Sequence, residues 1–265
     1  MASSPLNVRI VAGVATLTLQ RPKIHNAFDD VLIATLIDAL RELEEDPDVR
    51  VLVLTGSGPS FSAGADLSWM KRMAQASEKD NRRDARQLAK LMRTLNHLAM
   101  PTIAKVNGPA LGGGVGLVAC CDIAIAAEEA RFGLTEVRLG LVPAVISPYV
   151  IDAIGARHAR RLFQTAQVFD AREAERIGLV HRCVSAADLD AAVTAEIERL
   201  MAAGPVAVRE AKALVQRIAY PDSKHRRAVD EENAELIAAL RVSSEGQEGL
   251  RAFFERRPAQ WISDN

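Results

Sequence analysis

Aromatic residues are scarce, at 4% of 265 residues, and net charge is nearly absent, with 33 Lys and Arg against 34 Asp and Glu. Base-stacking platforms and a basic footprint on phosphates both need more than this, so nucleic acid is not an expected partner. Long hydrophobic runs are missing too. Val51 to Leu54 and Ile123 to Ala127 fall far short of the roughly 20 residues that span a bilayer, and no membrane partner is expected. Cysteine is limited to three, an odd number, and adjacent Cys120-Cys121 lacks the paired spacing of a zinc site; reduced structural thiols are the expectation. The five histidines are dispersed without helical pairing, which gives no metal site. Met1-Ala2-Ser3-Ser4-Pro5 shows no basic stretch leading into an apolar one, so the expected location is cytoplasmic.

What is present is 49% apolar content, enough for one large core or two modest ones. Up to about residue 185, short β-branched or Leu-rich runs alternate with helical patterns, as in an α/β fold. Strands are expected at Val14 to Leu19, Val51 to Leu54, Thr102 to Val106 and Ile123 to Ala127. Between the first two, Val31, Leu32, Leu36, Ile37, Leu40 and Leu43 recur at helical spacing, with Asn26 or Asp29 as the cap. A second helix is expected from Asp80 to Leu98, stopped before Pro101. From Ala186 onward Ala/Glu/Arg-rich helical patterns take over. The chain therefore divides into an α/β core over 1–185 and a C-terminal helical module over 186–265 that packs on the core, on a neighbouring subunit, or on both.

Two glycine-rich loops follow strands: Gly56 to Asp66, and Asn107 to Gly114. Where such a loop runs into a helix, first-turn N–H groups lack internal partners and the dipole favours negative charge. Two such ends converging would form an oxyanion hole; the plainer alternative is that these glycines only permit tight turns or close packing. Neither loop carries the Gly-Lys-Ser/Thr of a phosphate-binding loop. Leu117 stands where a dinucleotide fingerprint needs its third glycine, and Asp122 comes too soon to hold a ribose. A Gly-x-Ser-x-Gly elbow is absent.

Three ordered segments carry a resemblance. Pro59-Ser60-Phe61-Ser62-Ala63-Gly64-Ala65-Asp66-Leu67, Asn107-Gly108-Pro109-Ala110-Leu111-Gly112-Gly113-Gly114 continuing to Cys121-Asp122, and Phe132-Gly133-Leu134-Thr135-Glu136-Val137-Arg138-Leu139-Gly140-Leu141-Val142-Pro143 resemble the crotonase, or enoyl-CoA hydratase/isomerase, superfamily. Gly112-Gly113-Gly114-Val115-Gly116-Leu117 and the run Val142 to Pro148 resemble its methylglutaconyl-CoA and carboxygeranoyl-CoA hydratase branch most. The resemblance implies a spiral of stacked strand-strand-helix turns with helices at the C-terminus used for assembly, as a homotrimer or a dimer of trimers. It implies an acyl-CoA thioester substrate and no separate cofactor, coenzyme A being part of the substrate. By the same resemblance the oxyanion donors are the backbone N–H groups of Ala65 and Gly113, and Glu136 is an acid/base carboxylate. Ala63, Gly64, Ala65, Asp66 and Leu67 match the adenine-holding segment, Gly112 and Gly116 fall among the substrate-binding positions, and Phe253 and Arg256 match positions that close the CoA site.

The chain departs from the two-carboxylate members at Gly116, which stands where they place a second acid. Hydration with two carboxylates shares the water's protons between them, so a lone Glu136 points to a double-bond isomerase on the simplest reading. Against that, the loss opens room and relieves like-charge repulsion beside an acyl chain that carries its own carboxylate, which favours an enoyl-CoA hydratase for a branched or carboxylated chain such as 3-methylglutaconyl-CoA. Arg138 either reaches such a carboxylate as a bidentate fork or makes an ordinary ion pair. Glu136 has a plainer alternative as a surface or salt-bridged loop carboxylate. Asp66 reads as a helix cap, His25 as a capping or CoA-proximal residue, and Trp69, Met70 and Met73 as acyl-pocket lining or helix core. Hydrolase, decarboxylase, non-catalytic scaffold and RNA-binding oligomer stay open as other readings of the same fold.

Overall fold

A computed structural model describes residues 4–219 and 223–262. The chain opens with a hairpin, β1 (Leu6–Val11) and β2 (Val14–Leu19), paired antiparallel through Ala12 and Gly13, both at positive φ. That is the backbone a two-residue hairpin turn demands. The pattern reading began at Val14 and passed over β1, because β1 is an edge strand whose Val8, Ile10 and Val11 are exposed, with Leu6 its one buried residue.

From β2 the chain builds a parallel sheet. α1 (Asp30–Glu45) returns it to β3 (Val51–Gly56), and α2 (Leu67–Gln75) and α3 (Glu78–Asn96) return it to β4 (Thr102–Val106). β5 (Ala110–Leu111) and α4 (Gly113–Cys120) lead to β6 (Ile123–Ala127), and β9 (Arg182–Val184) closes the order β1-β2-β3-β4-β6-β9. A second sheet joins β5, β7 (Arg131–Gly133) and β8 (Val168–Asp170) in that order. α5 (Ser147–Thr165), interrupted at Gly155 with φ 73°, and α6 (Ala171–Arg176) fill the last crossover. These elements agree with the α/β class read from the sequence.

α1 forms because its apolar residues keep helical spacing: Leu32, Leu36, Ile37, Leu40 and Leu43 are buried as expected, but Val31 is exposed and Ile33 is buried in its stead. Of the two candidate caps, Asp29 takes the role, accepting from the Leu32 N–H at 2.8 Å. Asn26 does something else, described below. α3 starts two residues earlier than expected because the Ser77 hydroxyl, accepting from Asp80 N, is its cap.

The main core lies between the sheet and α1, α3, α4 and α5; a smaller one forms where Leu189, Ala192 and Val193 of α7 (Leu189–Ala202) cover Val51, Val53, Ile103 and Ile125 on the opposite face. After β9 every regular element is helical: α7, α8 (Pro205–Ala219), α9 (Ser223–Val242) and α10 (Ser244–Glu255). α9 lies along α3 and is fastened by the Arg93–Asp230, Arg86–Glu231 and Arg82–Glu235 ion pairs. α8 buries none of its residues and leaves Val206, Val215 and Ile218 exposed. Cys120, Cys121 and Cys183 form no disulfide, and burial pushes the Cys121 thiol up to about 12. No described helix is long and apolar enough to cross a membrane.

Replacing the α1 cap tests this local reading. Asp29→Ala should lower unfolding free energy by about 1 kcal/mol, read in urea as a lower midpoint at unchanged slope. An unchanged midpoint would show that the cap bond contributes nothing.

Candidate active site

Both glycine loops leave the same end of neighbouring parallel strands, one after β3 and the other after β4, so topology alone sets them side by side. Asn107 ties them, its Oδ1 accepting from Gly56 N at 3.2 Å and its Nδ2 donating to Gly58 O at 3.0 Å. They approach so closely that a Cβ at Gly108 would stand 2.1 Å from Pro59 O, and one at Gly64 would stand 2.8 Å from Leu111 O. Gly64 and Gly112 also carry positive φ, 83° and 48°. Asn26, fully buried, holds the first loop: its Nδ2 donates to Ser57 O and Ser60 O, and its carbonyl accepts from the Ser62 hydroxyl.

The bonds that fix the loops leave particular amides over. Phe28 donates to Gly64 O at 2.6 Å and accepts from Asp66 N at 2.7 Å. This one-residue bridge uses the groups on either side of Ala65, and the Ala65 N–H has no acceptor among the described residues. Gly113 opens α4, where first-turn N–H groups have no intrahelical acceptor; its own N–H is likewise unclaimed. A Cβ at Gly113 would meet the Phe28 ring at 2.9 Å, so glycine there lets the helix start press against the residue that holds the first loop.

Glu136 begins a 3₁₀ turn, Glu136–Leu139, that ends at Gly140 in the left-handed region. α10 clamps this turn: a Cβ at Gly140 would stand 2.8 Å from Glu245 O, and one at Gly249 2.3 Å from Leu139 O. The Glu136 carboxylate lies beside the second loop, with Oε1 3.2 Å from where a Gly112 Cβ would be. Its Oε2 is buried with no hydrogen-bond partner. Burial without a counter-ion disfavours the charged form and holds the group up to about 7. Neither a fully exposed nor a salt-bridged loop carboxylate matches the buried, unpartnered Oε2.

One cavity of about 910 Å³ gathers these parts. Ala63, Gly64, Ala65, Asp66, Leu67, Gly112, Gly113, Glu136, Arg138 and Phe253 all line it, as do His25, Trp69, Met70 and Met73. The Asp66 side chain caps α2, accepting from Trp69 N. His25 places Nδ1 2.9 Å from the Ser60 hydroxyl. Arg138 has no acidic partner among the described residues, contrary to the ion-pair reading; its Nη2 donates to Ala166 O at 2.9 Å. Arg256 is the left-handed cap of α10 and lies outside the cavity wall.

Gly116 also lies off the wall, and its departure from the two-acid pattern opens no room. Ile146 fills the place: its Cγ2 would be 2.4 Å from a Gly116 Cβ. An aliphatic wall thus replaces a second acid. Sequence reasoning also passed over Phe28, Ile146, Ile237 and Arg241 as lining residues. Phe28 and Ile146 sit among ordinary core-type residues, and Ile237 and Arg241 belong to a polar helix that reads as solvated until it is folded onto α3.

Residues 9–264 match the sequence profile of the enoyl-CoA hydratase/isomerase family. The chain is 36% identical to a crotonyl-CoA hydratase of Syntrophomonas wolfei over 256 residues, 94% of this chain and 95% of that protein. Two solved structures are similar throughout. An enoyl-CoA hydratase from Shewanella pealeana has a TM-score of 0.79 at 43% identity, covering 97% of this chain and 96% of that one. One from Mycobacterium avium has a TM-score of 0.86 at 36% identity, covering 99% and 100%. With the family profile matching nearly its whole length and these relatives covered almost end to end, the chain belongs to the enoyl-CoA hydratase/isomerase family.

Proposed function

We propose that the protein adds water across the C2–C3 double bond of an α,β-unsaturated acyl-CoA thioester, with Glu136 as the acid/base and the Ala65 and Gly113 amides as oxyanion donors. The observation that carries this reading is Glu136, half-buried with its Oε2 buried and unpartnered, on the wall of the cavity that the two loops share. Two N–H groups aimed at the thioester oxygen stabilise the enolate that forms when a nucleophile adds at C3; one such donor contributes about 2.7–4 kcal/mol to a barrier. Ionised Glu136 takes a proton from water as its oxygen bonds to C3, and the same carboxyl then gives that proton to C2. Water is consumed, nothing leaves, and both new bonds form on the face that Glu136 occupies. A group held up to about 7 suits a proton that is taken and returned.

The acyl chain we assign is branched or carboxylated, as in 3-methylglutaconyl-CoA, and that finer reading rests on the resemblance in the Gly112 to Leu117 and Val142 to Pro148 runs. Ala63 to Leu67 would hold the adenine end and Phe253 would cover it. One observation favours a second reading: with Ile146 against Gly116, a lone carboxylate also serves a double-bond shift, moving one proton between C4 and C2. Mass analysis separates the two, since hydration leaves a water adduct and isomerisation does not.

Glu136→Gln should lower kcat by about 10²–10⁴-fold, measured as loss of enoyl absorbance; wild-type turnover in a folded variant would remove the residue from the reaction. The same substitution should raise stability at pH 8. The folded wild type holds a proton that the unfolded chain releases, so its stability falls as pH rises from 4.5 to about 7. Glutamine escapes this loss, of order 3 kcal/mol, and the gain should vanish at pH 4.

Because the ionised form takes the first proton, log kcat/KM should fall with unit slope below about pH 7 and level off above it. A profile flat to pH 5 would contradict the assignment. Gly116→Glu should destabilise by overpacking against Ile146, by about 1–3 kcal/mol or more, and Ile146→Ala in the same chain should recover at least half of the loss in thermal midpoint. A single variant as stable as the wild type would show that the wall yields freely.

A further inference from the structure

Beyond the reacting groups, the cavity wall includes Trp69 and Met73 of α2, Ala85 and Leu88 of α3, and Ile237 of α9. Among these apolar residues stands one guanidinium, that of Arg241, near the end of α9. Its side chain is only 16% exposed and is held from several sides. Nη1 donates to Asp84 Oδ2 at 3.2 Å and to Asn81 Oδ1 at 3.3 Å. The Trp69 ring lies beneath the charge, 5.7 Å from guanidinium carbon to ring centroid, and Trp69 Nε1 donates to the other Asp84 oxygen at 3.1 Å.

The supports are fixed in turn. Asn81 is fully buried, and its amide nitrogen donates to the carbonyls of Met73, Ala76 and Ser77, which leaves its oxygen for Arg241. Gln247 ties the end of α9 to α2, donating to both Arg241 O and Ala74 O. Arg241 is thus positioned before any ligand arrives, and a preorganised fork loses little entropy on binding.

The positioning consumes one of its three nitrogens. Nε and Nη2 have no acceptor among the described residues. Guanidinium donors left unmatched in an apolar wall are costly when a methyl-ended chain is pressed against them. The same edge matches a carboxylate with two parallel bonds. Asp84 engages Nη1 alone, which leaves the Nε and Nη2 donors for an incoming carboxylate.

From this juxtaposition we propose that Arg241 is a specificity-determining residue that reads a carboxylate at the distal end of the acyl chain. The inference rests on the cavity being an acyl-CoA site, and it assigns the substrate class through a residue in contact with substrate but remote from the proton transfer.

Binding of saturated thioesters tests this without turnover. Succinyl-, glutaryl- and adipoyl-CoA are each compared by calorimetry with the methyl-ended butyryl-, pentanoyl- and hexanoyl-CoA of the same chain length. At one length at least, the carboxyl-ended member should bind the wild type about tenfold or more tightly. Arg241→Met should abolish that preference by weakening the carboxyl-ended members, with the methyl-ended affinities equal to the wild type's or tighter. Since Arg241→Met strands Asp84, the Asp84→Asn/Arg241→Met pair is measured alongside and should behave alike. Equal affinities within every wild-type pair, or a preference that survives both variants, would overturn the proposal. Hydration of methyl-ended enoyl-CoA with no carboxylate preference in binding would sink this inference alone. A carboxylate preference without any water adduct would instead sink the hydratase reading, and no thioester binding at all would sink both.

Discussion

A carboxylate oxygen shut away from water with no positive partner is costly, and the site is organised around one, on the half-buried side chain of Glu136. Glu136 sits with one oxygen unpaired and is held up to about 7 by desolvation. A nearby arginine would relieve the strain and lower the group into the ordinary range, but it would also make a base too weak to take a proton from water. Arg138, two residues away, is turned to the Ala166 carbonyl instead. The cost is met elsewhere: α10 clamps the Glu136–Leu139 turn through glycine contacts at Gly140 and Gly249, so the turn cannot swing its acid toward solvent.

The two loops follow the same logic of groups deliberately left unpaired. Adjacent parallel strands deliver them to one edge, Asn107 and Asn26 tie them down, and close backbone approach at Gly64 and Gly108 sets their spacing. Once those bonds are counted, the Ala65 and Gly113 amides remain. Unpaired donors are costly in a folded protein, as is an unpaired carboxylate, and a cavity that collects both kinds is built to receive a ligand with the complementary charges. Ile146 completes the arrangement by filling the space beside Gly116, so that in the proposed reaction a single acid carries the proton transfer.

Much of this was legible in the sequence, for identifiable reasons. α1 declared itself by six apolar residues at helical spacing and an aspartate at its start, and the parallel strands by β-branched runs. The loops were legible because glycine at Gly64, Gly112 and Gly113 answers local backbone demands that leave a local trace. β1 was missed because an edge strand with exposed valine and isoleucine carries little burial pattern. The fit of Ile146 against Gly116 could not be read, since it joins residues from different elements. Arg241 was invisible for the same reason: its partners Asn81 and Asp84 are more than a hundred positions away, and only the docking of α9 on α3 turns it from a surface arginine into part of a wall. The sequence likewise named Glu136, but not that its Oε2 is buried without a partner, which only the folded chain shows.

The account depends on Glu136 lacking a counter-ion, and its protonation can be watched directly. Infrared difference titration of the wild type against Glu136→Gln isolates the carboxyl stretch of this one side chain. The account predicts that the protonated band persists through mildly acidic solution and disappears with a midpoint near pH 7. A midpoint at the ordinary glutamate value, near 4.5, would show a solvated or paired carboxylate and would contradict the mechanism built on it.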